Sequence, residues 1–243
     1  MIKAILFDLD NTLVDFMTMK IRCCEAAIDA MLSSGLNMER EDALKILFDL
    51  YEIHGIEQQH IFEKFFNALG GKIEYKYIAH GIVAYRKARE HYLKLYPRVV
   101  PTLLALKKNY KLAIVSDAPI LQAHMRLVML NIDDFFDVVV TAADVRKQKT
   151  TAAPFNAALR ELGVKPNEAM MVGDRVERDV NTAKKLGLRT CYARYGERRI
   201  GKTPKEKGKS GADYELEDIS ELVEIMNKLR VYDVKELNEN SSS

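Results

Sequence analysis

MIKAILFDLDNTLVD, residues 1–15, is the stretch whose reading decides the fold. Ile2 to Phe7 has the length and apolar composition of a strand buried on both faces, the usual state of a strand inside a parallel sheet. Two carboxylates, Asp8 and Asp10, follow at its carboxyl end, and Asn11-Thr12 turns the chain. In open α/β sheets, ligands bind beyond that end of the strands. Carboxylates placed there cost stability unless something pairs with them, and a metal ion is the natural partner. One of the two can act as a nucleophile while the other moves protons. A strand end capped by polar turn residues is the plainer possibility, and the rest of the chain must decide.

Outward from this stretch, further strands end in chemically active residues. KLAIV, 111–115, runs into Ser116-Asp117; FDVVVT, 136–141, is followed by a loop carrying Lys147 and Lys149. AMMV, 169–172, runs into GDRVERD, 173–179, with Asp174 and Asp179. RTCYA, 189–193, is a fifth strand, and 213–216 adds an edge strand. Helical patterns at 101–108, 120–130, 153–162, 180–186 and 219–229 separate them. Strands alternating with helices of this size predict an α/β fold, a parallel sheet with helices on both faces. Asp8, Asp10, Ser116, Asp117, the loop with Lys147 and Lys149, Asp174 and Asp179 then meet along one sheet edge.

Between the first two strands the texture is different. Apolar residues recur at three and four over 21–32, 41–53, 56–69 and 73–95, the last with a possible interruption at Gly81. This predicts an inserted all-α unit over 16–95, a core made of 1–15 and 96–234, and a polar tail over 235–243. The stretch 197–211, dense in Lys, Arg, Gly and Pro, reads as an exposed loop.

Composition narrows the classes. With 48% hydrophobic and 30% charged residues, the 243-residue chain reads as an ordinary soluble globular protein able to bury a full core. A net charge of +2 gives no case for nucleic acid or a membrane surface as partner. No apolar run approaches a membrane span, and Met1 leads straight into a strand without a signal-like segment, so the expected location is cytoplasmic. Cys23, Cys24 and Cys191 lack zinc spacing and read as small buried residues in a reducing compartment. The five histidines show no metal spacing.

Taken together, DLDNT at 8–12, VSD at 115–117, Lys149 before a helix and GDRVERD at 173–179 resemble the haloacid dehalogenase-like hydrolase superfamily, nearly end to end. The resemblance implies a Rossmann-like core, a mobile helical cap inserted after the first motif, and in most members a magnesium-dependent phosphatase working through an aspartyl-phosphate. It implies Asp8 as nucleophile and Asp10 as general acid and then base. Asp8, Asp174 and the main-chain carbonyl of Asp10 would hold Mg2+, with Asp179 holding a metal-bound water or orienting a neighbour. Thr12 would fix the turn, Ser116 would bind a phosphoryl oxygen, and Lys149 would neutralise charge on the phosphate and on Asp8. Two positions depart from the family pattern: the lysine is followed by Thr150 instead of proline, which leaves Lys147 as a second candidate, and Asp117 replaces the frequent asparagine. An Asp117 side chain facing the phosphate would weaken binding by like charge. Phe16, Met17 and Lys20, just beyond the nucleophile turn, are candidates for lining the substrate entrance.

The expected activity is hydrolysis of a small phosphorylated metabolite. A 2-haloacid dehalogenase uses the same nucleophile but needs neither a metal nor a proton donor, so Asp10 and Asp174 argue against it. The same scaffold also admits a phosphomutase, which must shield the phospho-aspartate from water, and a non-catalytic protein that only binds phosphate.

Overall fold

In the computed structural model, residues 1–196 and 210–240 are described. Of the loop expected over 197–211, residues 197–209 lie outside the described residues, as do 241–243 of the expected tail. Six strands, β1 (Ala4–Phe7), β2 (Lys111–Ser116), β3 (Val138–Thr141), β4 (Ala169–Gly173), β5 (Arg189–Ala193) and β6 (Tyr214–Leu216), form one sheet. Every pairing is parallel and the order is β3-β2-β1-β4-β5-β6. β1 is therefore central, and the order reverses between it and β4. All four of its residues are buried, as the continuous apolar run requires.

The chain divides into two compact units, one built on this sheet and one spanning Phe16–Lys94. The second unit holds four helices, α1 (Phe16–Ser33), α2 (Arg40–His54), α3 (Ile61–Ala68) and α4 (Tyr75–Tyr92). Cys24, Ala27, Ile28 and Met31 of α1 pack with Leu47, Tyr51, Phe62, Phe65, Phe66 and Ile78 in its core. α4 runs unbroken through Gly81, where the sequence left an interruption open. A Cβ at Gly81 would sit 2.2 Å from Met31 Cε, so glycine here serves the close approach of α1 and α4 and not a break. α3 begins at Ile61, five residues later than expected, because 55–60 is spent on turns after Gly55.

In the sheet unit, α5 (Val99–Lys107), α6 (Ile120–Met129), the short α7 (Ala142–Val145), α8 (Ala153–Leu162), α9 (Asn181–Lys185) and α10 (Glu221–Asn240) connect or follow the strands. Residues alternate across a sheet, so Ala4, Leu6, Ala113, Val115 and Met171 share one face, packed on Phe155, Ala158, Leu159 and Leu162 of α8. Ile5, Phe7, Leu112, Ile114, Met170 and Val172 are buried on the other. β3 starts two residues late, because Asp133–Phe135 forms a 3-10 turn that Phe136 leaves. α10 runs to Asn240, eleven residues past the expected end and through 235–240 of the expected tail. Among the described residues no helix is long and apolar enough to cross a membrane. The three cysteines are free and buried, and burial pushes the Cys23 thiol up to about 11 and that of Cys24 to about 12, which suits packing and not reactivity.

Candidate active site

Register brings the site together. Phe7 lies level with Ile114 on one side and Val172 on the other, so Asp8, Ser116 and Asp174 leave the sheet at the same edge. That edge is the crevice where the strand order reverses, the expected ligand position in such sheets. Asp8 N still donates to Val172 O, at 2.9 Å, so the carboxylate is anchored to the last rung of the ladder. The chain then folds sharply: Asn11 N donates to Val14 O at 2.7 Å, and Leu13 N and Val14 N both donate to Leu9 O at 3.0 Å. Asn11 takes the left-handed conformation this turn needs, φ 63°, which asparagine tolerates better than most residues.

Lys149, 2% exposed, reaches into the crevice. Its Nζ lies 2.6 Å from Asp8 Oδ1 and 2.7 Å from Asp179 Oδ1. Burial works against the ammonium, but the charges of Asp179, Asp8 and Asp117 outweigh it and hold Lys149 protonated, above its ordinary range. Lys147 is exposed and borders an open recess that Asp117, Ala142, Arg146 and Thr151 also line, and of the two lysines it is Lys149 that meets Asp8. Thr150, where proline is common, lies in the same recess border and leaves the Lys149 contact intact.

Three buried carboxylates, Asp8, Asp174 and Asp179, have oxygens within 4.8 Å of one another. Burial, then the charges of Asp8 and Asp179, push Asp174 well above the usual carboxylate range. Burial pushes Asp179 up to about 6, against the pull of Lys149 and with Asp8 adding to the rise. One lysine cannot neutralise three carboxylates. Asp174 Oδ2 is buried without a hydrogen bond, with Arg175 Nε at 3.3 Å as its ion-pair partner. An all-oxygen, anionic cluster with such an oxygen fits a hard divalent cation such as Mg2+. Asp179 joins the cluster geometrically, yet Lys149 and the Arg175 N–H, 3.0 Å from its Oδ2, already engage it. That engagement suits an orienting role.

The remaining residues are equally placed. Ser116, buried, accepts from Ala118 N at 3.1 Å through its hydroxyl. Thr12 is fully buried and its carbonyl accepts from Tyr195 Oη at 2.7 Å. Asp117 directs one oxygen to Lys149 N, 2.9 Å, and the other to Arg178 Nη1, 3.2 Å. Both of its oxygens are thus engaged, one by the lysine loop and one by Arg178. Asp10 Oδ2 accepts from Arg126 Nη1 at 2.7 Å. Phe16, Met17 and Lys20 belong to the first turns of α1 in the helical unit and are buried. The Lys20 ammonium donates to Tyr85 Oη at 3.0 Å and sits 4.0 Å from the Tyr51 ring centroid, a cation–π contact.

Sequence reasoning missed Arg126, Tyr195 and two glycines. A Cβ at Gly173 would stand 2.3 Å from Asp179 Oδ2, so the bare backbone there makes room for that carboxylate. A Cβ at Gly196 would stand 1.7 Å from Asn11 O and 2.9 Å from Asp174 Cβ, wedged between the turn after β1 and the residue that follows β4. Gly196→Ala is expected to cost about 1–3 kcal/mol, as overpacking does, and to lower turnover by displacing the 11–12 turn. A thermal melt read beside kcat checks this, and unchanged values of both would contradict the close packing. Gly173 was legible as the G of GD; Gly196 had no such marker.

A family model described as haloacid dehalogenase-like hydrolase matches residues 5–193. Glyceraldehyde 3-phosphate phosphatase of Methanocaldococcus jannaschii is 33% identical over 233 residues, 95% of this chain and 99% of that one. Pyrophosphatase PpaX of Bacillus mycoides is 30% identical over 233 residues, 94% and 98% of the two chains. Among solved structures, a HAD phosphatase from Thermococcus onnurineus is 29% identical with a TM-score of 0.66, over 93% of this chain and 98% of that one. A 2-haloacid dehalogenase from Pseudomonas syringae, 22% identical with a TM-score of 0.64 over 94% and 100% of the chains, shares the fold. The matched span reaches from β1 to the end of β5 and so takes in the aspartate turn, the lysine loop and the second aspartate strand: the chain belongs to the haloacid dehalogenase-like hydrolase family.

Proposed function

We propose that this protein is a magnesium-dependent phosphatase that hydrolyses a small phosphorylated metabolite through a phosphoryl group carried on Asp8. The observation that carries the reading is the buried cluster of Asp8, Asp174 and Asp179 around Lys149 at the sheet's switch point. The names of the relatives, a triose-phosphate phosphatase and a pyrophosphatase, support it from outside.

Asp8 attacks phosphorus, forming a carboxylate O–P bond as the bond to the leaving oxygen breaks. Asp10 gives that oxygen a proton, then takes one from the water that attacks the acyl phosphate. Water's oxygen ends on phosphorus, Asp8 is released as carboxylate, and Asp10 regains its proton. Lys149 offsets the negative charge that Asp8 and the phosphate bring together, and Ser116 binds a phosphoryl oxygen. Asp8, Asp174 and the carbonyl of Asp10 would hold Mg2+, which when bound neutralises charge and polarises the phosphoryl oxygens. Thr12 and Asp179 keep the turn and the lysine in place. Phe16, Met17 and Lys20 remain our candidates for substrate selection.

Phosphate release is expected from 4-nitrophenyl phosphate and from a panel including glyceraldehyde 3-phosphate and pyrophosphate. Excess EDTA should reduce it by about 10²-fold or more. Equal activity in EDTA would defeat metal dependence. Halide release from a 2-haloacid would favour the dehalogenase, transfer without net release the phosphomutase, and silence across the panel a binding protein.

A further inference from the structure

We propose that Arg126 is a positioning residue for proton transfer, fixing the Asp10 carboxylate where it can serve the leaving oxygen. The proposal rests on the acid role of Asp10 in the phosphatase reaction. Arg126 Nη1 donates to Asp10 Oδ2 at 2.7 Å, and the two side chains are 8% and 19% exposed. On α6, Arg126 shares the buried face with Ala123 and Leu127, where an apolar residue would ordinarily pack. A guanidinium taken out of water costs several kcal/mol, which a well-placed anion such as Asp10 often does no more than offset, so stability alone does not favour an arginine over an apolar residue at this position. What it supplies is direction. An aspartate has only two side-chain torsions, and one charge-assisted bond from a rigid, buried donor restrains both. Proton transfer needs the acid within hydrogen-bond reach of the reacting oxygen, and an ångström of misplacement can cost about 10²-fold.

Acid assistance matters most for poor leaving groups: an alkoxide needs a proton, whereas 4-nitrophenolate leaves without one. kcat/KM reports the first irreversible step, here transfer to Asp8. Arg126→Met is expected to lower kcat/KM for glyceraldehyde 3-phosphate about tenfold or more beyond its effect on 4-nitrophenyl phosphate, with Arg126→Lys recovering most of the difference. Should the methionine variant fail to fold, Arg126→Gln takes its place and is expected to show the same selective loss. Asp10→Asn, measured alongside, should show the selectivity more strongly. A loss equal on both substrates, or none, overturns the positioning role, because a merely structural arginine would not distinguish leaving groups. Selective loss in Asp10→Asn but not in the Arg126 variants overturns this inference and leaves the phosphatase reading standing. No selectivity in Asp10→Asn overturns the acid role itself, and the inference with it.

Discussion

Asp8→Asn is expected to abolish phosphate release, lowering kcat by about 10⁴-fold or more, while the protein stays folded. The amide keeps the shape of the carboxylate but is a poor nucleophile, so the phosphoryl group has no acceptor on the enzyme. The fold is expected to survive because losing the ion pair with Lys149 is set against relief of repulsion among the buried carboxylates. The charge of Asp8 is one of the causes that push Asp174 and Asp179 upward, so removing it relieves repulsion among buried carboxylates. Lys149 keeps Asp179 as a partner. A melt in the absence of divalent ions should therefore show Asp8→Asn no less stable than the wild type, alongside an assay reading background phosphate. Retained turnover would remove Asp8 from the nucleophile's role.

Lys149→Met is expected to damage both activity and stability. Without the ammonium, Asp8 and Asp179 remain buried with no lysine between them, and removing one member of a buried ion pair costs about 3–5 kcal/mol. Turnover should fall by about 10²–10³-fold, the usual effect of removing one donor that meets developing charge. Lys147→Met, at an exposed position two residues away, is expected to change stability by no more than about 0.5 kcal/mol and to leave most activity. Denaturant melts of the two variants separate the lysines. Equal behaviour would contradict the assignment of Lys149.

The parts of the site that were legible in the sequence are those carried by strands. AILF, KLAIV and AMMV are short, apolar and abruptly ended, so the residues after them, Asp8, Ser116 and Asp174, could be assigned to one edge before any coordinate was known. Side-chain direction was not legible. Nothing in VSD says that Asp117 turns to the Lys149 amide and Arg178, because those partners come from distant segments brought together by the sheet. Arg126 left one trace, a charged residue at a core position of an amphipathic helix, but its partner lies 116 residues away. Helix ends failed for local reasons. α1 starts at Phe16, ahead of the periodic apolar pattern that begins at Ile21, and the last two turns of α10, rich in Glu, Asn and Lys, have the composition of a solvated tail. Gly81 was ambiguous for a tertiary one: a glycine inside a helical pattern can mark a break, and only Met31 beside it shows the close approach it serves.

The central place of β1 also governs when the site can exist during synthesis. β1 is the first strand made, yet its two neighbours begin at Lys111 and Ala169. Until both have been made, an apolar strand waits with unpaired edges, and Lys149, Asp174 and Asp179 have not yet joined Asp8. Contacts so distant along the chain carry a large loop-closure entropy and form late. The four helices of Phe16–Lys94, by contrast, are contiguous and can pack as soon as they emerge. Their early collapse removes much of the slack between β1 and β2, so the insert shortens the effective loop that the central strand must close. A helical segment placed between the first two strands thus bears on how the central strand finds its neighbours.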